Sequence, residues 1–184
     1  MFNNSIYVLI QNELWAWYER LFGIFPGKVG ILLRILVYKP FFKKLGKKVE
    51  FREDTNITFP TRIIMNNSIK IGRGVIINAT GGVILKDHVR VGPNSMIIST
   101  NHNFGDIGRS IDSQGVNYKE IIIEEDVWVG AHVKILSGAN IGAHSVVGAG
   151  SVVTSIIPPY SIVVGNPGRV IANRKKNDKH KRGE

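Results

Sequence analysis

From Ile123 to Val153 an aliphatic residue recurs every six positions: Ile123, Val129, Ile135, Ile141, Val147 and Val153. Four places after each stands a small or β-branched residue: Val127, Val133, Ala139, Ser145 and Ser151. A strand repeats its facing every 2 residues and a helix every 3.6, so neither accounts for a period of six. A parallel β-helix does, because each hexad lays one short strand on a prism face and then turns a corner. The first-position aliphatic points inward and stacks on its equivalent in the next coil, while glycine at the second position (Gly130, Gly142, Gly148) is expected to ease the turn. Three hexads make one coil of a triangular prism. The period does not set the hand, and right-handed crossovers are the general rule for parallel strands.

Upstream the repeat is less regular, with inward candidates Ile57, Ile63, Ile71, Ile77, Leu85, Val91 and Ile97. Ile77 to Leu85 is a step of eight that contains Gly81-Gly82, which predicts two extra residues bulging at a corner. Ile97 to Ile123 is a step of 26, one hexad plus a 20-residue excursion over about residues 101–120. Long loops inside a tight repeat usually carry function. The pattern ends after Gly165, Val170-Ile171 is expected to pack back on the solenoid, and residues 173–184 read as a basic tail. The solenoid is thus placed at 49–172.

Residues 1–48 read as two helices. One ends at Gly23 and carries Trp15, Trp17, Tyr18 and Phe22; the second follows Pro26 and stops before Pro40. Every solenoid needs its open end shielded, so a helical cap is one reading. Aromatic and basic residues mixed on amphipathic helices also suit docking on a membrane surface, and the two readings are compatible. The run Val29 to Tyr38, interrupted by Arg34, falls short of the roughly 20 apolar residues a span needs. The first residues lack the basic lead of a signal peptide, so the expected location is cytoplasmic, at the inner membrane face if the helices dock.

The net charge of +10 is unevenly placed, +6 over residues 1–52, +5 over 169–184 and −1 between them. No aromatic stacking platform or groove-reading helix accompanies the basic ends, which argues against nucleic acid. There is no cysteine, so disulfides, a thiol nucleophile and thiolate metal sites are excluded. The five histidines (88, 102, 132, 144 and 180) fall at spacings that do not converge on one ion, so no catalytic metal is expected.

Trp128-Val129-Gly130, Ile141-Gly142, Gly148-Ala149-Gly150-Ser151-Val152-Val153-Thr154, Pro158-Pro159 and Gly165-Asn166-Pro167 resemble the signature of the hexapeptide-repeat acyltransferases. The likeness, over about residues 46–172, is to the maltose/galactoside acetyltransferase-like group and its polysaccharide O-acetyltransferases. It implies an all-β solenoid, a left-handed parallel β-helix, a homotrimer with active sites between subunits, acetyl-CoA as donor and a sugar acceptor.

His102 stands where the coil gives way to the excursion. Acyl transfer from a thioester to a hydroxyl needs a base that is neutral near pH 7, which imidazole supplies. No serine or cysteine forms a recognisable nucleophile motif beside it, so direct transfer is the economical route. The resemblance places the family's catalytic histidine here. It also matches Asn78 to an acceptor-site asparagine, although a turn asparagine is an equal reading. Asp106 is a candidate to orient the imidazole or contact the acceptor. The family's donor contacts carry over to Trp128, Ala131, Ala149, Thr154 and Arg169, the last suited to phosphate. Ala131 replaces a common hydroxyl residue, and Ala172 a second basic residue for which Arg174 or Lys175 is the expected substitute. N-acetylation of an amino sugar nucleotide and a non-catalytic scaffold are the alternative functions.

Overall fold

The structure, a computed structural model, describes residues 6–175. Residues 1–5 and 176–184, the latter including His180 and most of the basic tail, lie outside the described residues. The chain winds around a triangular prism whose faces, here A, B and C in chain order, are sheets of six, seven and five strands. Ile123 pairs with Ile141 on face A, Val129 with Val147 on face B and Ile135 with Val153 on face C. The six-residue period is therefore the step from one face to the next. Phe51, Ile71, Val91, Val129, Val147 and Val163 form one inward column, and all six are buried. Burying each such side chain contributes about 1.5–3 kcal/mol, which is why the prism interior is almost wholly aliphatic.

The second inward position of each hexad is small, and its buried serines are satisfied. Ser145 Oγ donates to Pro158 O at 3.1 Å and accepts from Ser161 N at 3.1 Å. Ser151 Oγ accepts from Gly165 N at 3.1 Å. The corners correct one expectation. In the later coils the left-handed turn residues are Asp126, His144 and Tyr160 at the A–B corner, and His132 and Gly150 at the B–C corner. Gly130 and Gly142 serve close approach instead: an added Cβ would lie 2.7 Å from Ala149 N and 2.5 Å from Pro159 N respectively.

The first rung, Lys44–Leu45, pairs with Ile64–Met65 and so precedes the expected start at Val49. The two extra residues after Ile77 form a turn at the C–A corner, closed by Gly82 N donating to Ala79 O at 2.9 Å. The excursion leaves the same corner one coil later as an antiparallel hairpin of Thr100–His102 with Val116–Tyr118. At the far end, Ser161–Val164 turns back into Arg169–Asn173 on face B; Val170 and Ile171 stay exposed, so the return is held by backbone bonding and not by their burial.

Two helices, α1 (Ile6–Gly23) and α2 (Gly27–Tyr38), lie against the first coil. Trp15 Nε1 donates to Ile57 O at 2.6 Å, and its ring meets Tyr38 at 4.6 Å and Phe42 at 6.0 Å. Tyr38 and Phe42 in turn contact Phe51, the first residue of the inward column, at 5.5 and 5.6 Å. Arg34 is fully buried and donates Nε to Phe51 O at 2.9 Å and Nη1 to Phe22 O, Gly23 O and Phe25 O at 3.2, 3.3 and 2.7 Å. One guanidinium thus satisfies carbonyls left over at the C-terminal end of α1 and ties them to the first coil.

Candidate active site

The hairpin places His102 outside the prism, paired across the ladder with Val116. Its imidazole is exposed and, among the described residues, has no hydrogen-bond or ion-pair partner. The segment that carries it is braced. Gln114 Nε2 donates to Asp106 O and Arg109 O at 2.9 and 3.1 Å, while its Oε1 accepts from Asp106 N at 3.0 Å. Asn103 Nδ2 donates to Gln114 O at 3.0 Å. Asp106 does not orient His102 in this arrangement: its Oδ1 accepts from Gly108 N at 3.0 Å and shapes the loop.

At the base of the hairpin, the buried Ser99 Oγ donates to Asn78 O at 2.9 Å and accepts from Gly81 N at 2.8 Å. Lys119 N, on the returning strand, donates to Ser99 O at 3.2 Å. Ser99 therefore pins the start of the excursion to the preceding coil, bringing Asn78 and His102 to the same corner. Asn78 shapes a turn, its Oδ1 accepting from Thr80 N at 3.1 Å and Thr80 Oγ1 at 2.6 Å. Its side-chain nitrogen is not used by that turn. Ser99 and Gln114 escaped sequence reasoning. The available signal for Ser99 was a polar residue at the inward position where the hexad breaks; Gln114 had none, because its bonds are made across an irregular loop.

The residues matched to donor binding gather on the other side. Trp128 stands on face B between Arg90 and Val146, 57% exposed, while its neighbours Val127 and Val129 point inward. Ala131 and Ala149 follow at the B–C corner in successive coils, joined by Gly150 N donating to Ala131 O at 2.9 Å. Gly168 N donates to Val152 O at 2.7 Å, which seats the last turn beside face C and brings Arg169 to that edge. Thr154 is exposed just beyond Val152–Val153. Lys175 does not join this group, and Arg174 meets it only at Trp128, with which it lines one surface cleft. The return strand carries them across face B to the A–B corner, where Arg174 Nη1 donates to His144 O at 2.5 Å and Lys175 Nζ lies 4.0 Å from the Tyr160 ring. His144 stacks on Tyr160 at 4.8 Å and bonds Asp126 at 3.0 Å. Among the described residues no group of three His, Asp or Glu side chains is placed to hold a metal ion.

In a three-sided prism the C–A corner lies opposite face B. His102 and Trp128 of one chain therefore stand on opposite sides of its solenoid.

The family described as "Bacterial transferase hexapeptide (six repeats)" matches residues 120–155. The galactoside O-acetyltransferase of Lactococcus lactis is 34% identical over 143 residues, 77% of this chain and 60% of that protein. The chain thus spans somewhat less than two thirds of that relative's length. The "Putative colanic acid biosynthesis acetyltransferase WcaF" of Escherichia coli is 27% identical over 92% of this chain and 90% of its own. Among solved structures, a hexapeptide-repeat acetyltransferase from Vibrio cholerae in complex with acetyl-CoA superposes with a TM-score of 0.83 at 26% identity, covering 92% of this chain and 90% of that one. The hexad, the three-faced solenoid and these matches together make the chain similar, in repeat and in fold, to the hexapeptide-repeat acyltransferases.

Proposed function

We propose that this protein is an acetyl-CoA-dependent O-acetyltransferase acting on a sugar hydroxyl of a surface polysaccharide or its precursor. The observation that carries the reading is the unpartnered imidazole of His102 on a braced hairpin, in a chain that resembles an acetyltransferase with acetyl-CoA bound. His102 takes the acceptor's proton as its oxygen attacks the thioester carbonyl. The C–O bond forms, the C–S bond breaks, and the imidazolium returns the proton to the departing CoA thiolate. Asn78 is positioned to hold the acceptor through its remaining amide hydrogens. The pantetheine and nucleotide of the donor lie along Trp128, Ala131, Ala149, Thr154 and Arg169, where exposed coil backbone and a guanidinium match amides and phosphate.

Because His102 and Trp128 face opposite ways, one chain does not assemble the site. A homotrimer supplies it, with the hairpin of one subunit reaching face B of the next. The hairpin loop fits that role, since Phe104, Ile107 and Ile111 are left exposed, Ile107 at 102%. Groups of large apolar side chains in the open favour an interface.

The test is thiol release from acetyl-CoA by the wild type and His102→Ala, against free sugars, sugar nucleotides and lipid-linked oligosaccharides. Acceptor-dependent release that falls by about 10²–10⁴ in the variant supports the reading. Full activity in the variant removes His102 as base. Release only with amino sugar nucleotides replaces O- by N-acetylation.

A further inference from the structure

The most conspicuous surface that the transfer chemistry leaves unused is the outer side of the helical pair. On α1, Ile10, Leu14, Trp17 and Leu21 recur at helical spacing and are all exposed, Trp17 at 68%. On α2, Val29, Leu32 and Leu36 do the same, at 68, 68 and 74%. The residues that bind the helices to the first coil, Trp15 and Glu19 on α1 and Gly30, Arg34 and Tyr38 on α2, lie on the opposite stripes at 100° per residue. Both apolar stripes therefore face away from the solenoid. Ile24 and Phe25, in the connection between the helices, are exposed as well and continue the surface.

A soluble monomer rarely leaves so many large apolar side chains contiguous. What covers them is indicated by charge. Lys28 and Lys39 fall on the same side of α2 as Leu32 and Leu36, eleven residues apart, and both are exposed with no ion-pair partner among the described residues. Residues 1–52 carry nine Lys and Arg against three acids. Neither described helix is long and apolar enough to cross a membrane. An apolar stripe edged by lysines on α2, beside one on α1 flanked by Arg20 and Glu13, on helices too short or too polar to span, suits the interface of an anionic bilayer.

We propose that the outer face of α1 and α2 docks the protein peripherally on an anionic lipid membrane, the helices lying in the interfacial plane with Trp17, Leu32 and Leu36 inserted and Lys28 and Lys39 at the headgroups. The solenoid then stands on the membrane by its first-coil end. A lipid-linked acceptor would be within reach of such an enzyme, but the docking itself does not depend on the transferase reading.

The experiment is co-sedimentation of the full chain with vesicles of phosphatidylglycerol and phosphatidylethanolamine, or of phosphatidylcholine alone, without CoA or acceptor. The wild type is expected on the anionic vesicles and largely in the supernatant with phosphatidylcholine. Lys28→Glu and Lys39→Glu should each weaken binding by about fivefold or more, and raised salt should do likewise. Trp17→Glu with Leu36→Glu should abolish binding while leaving the circular dichroism and melting curve of the solenoid unchanged, because neither side chain contributes to the packing of α1 or α2 on the first coil. Failure of the wild type to sediment with anionic vesicles overturns the proposal, as does binding undiminished by these variants. Sedimentation velocity without lipid supplies the other arm: if Trp17→Glu with Leu36→Glu lowers the oligomeric state, the face is a contact between copies of the chain and the membrane reading is lost. Acetyl transfer enters none of these readouts, so its absence would leave the result standing.

Discussion

Replacing Ser99 by alanine tests whether one buried hydroxyl positions the hairpin that carries His102. Ser99 Oγ makes two hydrogen bonds, donating to Asn78 O at 2.9 Å and accepting from Gly81 N at 2.8 Å. Their loss is not symmetrical. Asn78 O still accepts from Ser99 N at 3.0 Å, so it keeps a partner, but Gly81 N–H has none left among the described residues. An orphaned, part-buried N–H costs about 1–3 kcal/mol, and the second bond is worth about 1 kcal/mol net. The sum is a destabilisation of about 2–4 kcal/mol. For a chain of this size it lowers the urea midpoint by about 1 M, compared at equal protein concentration because assembly contributes to stability. The functional consequence is separate. Ser99 stands three residues before His102, so a loosened hairpin base should lower kcat by up to about 10²-fold, with KM for acetyl-CoA little changed because the donor residues lie on the opposite side of the prism. A midpoint shift under 0.2 M together with unchanged kcat, read as no loss beyond about 0.5 kcal/mol, would refute the idea that Ser99 is a positioning residue.

Four further outcomes are expected. Mixing His102→Ala with Trp128→Ala chains, unfolded and refolded together, should restore activity at roughly a quarter of sites, since in the proposed trimer each active site draws on two subunits; no recovery in thiol-release assays would mean that one chain supplies both residues. Arg34→Met should cost about 3–5 kcal/mol in chemical denaturation, because the four carbonyls it serves lose a buried guanidinium. Gly130→Ala should cost about 1–3 kcal/mol, and calorimetric titration with CoA should show weaker binding, as the new Cβ would press on Ala149 N. Burial holds the Glu19 carboxyl protonated up to about pH 7, well above its ordinary 4.5. A raised carboxyl pKa stabilises the fold at low pH and loses that contribution as pH rises between these two values, so denaturation midpoints should decline from pH 5 to 7.5 in the wild type and stay flatter in Glu19→Gln.

The limits of sequence reading are visible residue by residue. The hexad foretold most of the inward columns because side-chain facing along a strand is strictly local, and Ile57, Ile71 and Ile77 are buried where the step count placed them; Ile63 is buried too, but it pairs with Val83, and Met65 takes the column position beside Leu85. The helices were marked by Gly23, Pro26 and Pro40, whose backbone constraints also act locally. The turn chemistry was misassigned. Gly130 and Gly142 were expected to ease the turn, but the left-handed φ of the corners falls on His132, His144 and Asp126, and glycine is demanded by the backbone of the adjacent coil. That demand comes from residues 18 or so positions away, which no local rule registers. Arg174 or Lys175 was expected beside Arg169 at the nucleotide end of the donor, yet an antiparallel return strand carries them to the far corner of face B, where Arg174 lines a cleft with Trp128.

Sequence alone determined the period, the number of faces, the place of the excursion and the residue types able to carry acyl transfer, because each rests on spacing and on side-chain chemistry. Only the tertiary structure decided that Ser99 anchors the hairpin through Asn78 and Gly81, that Arg34 joins α1 to the first coil, and that His102 and Trp128 face opposite directions. These are consequences of closing a triangle. Residues a few positions apart in the repeat are sent to different faces, and residues a whole coil apart become neighbours.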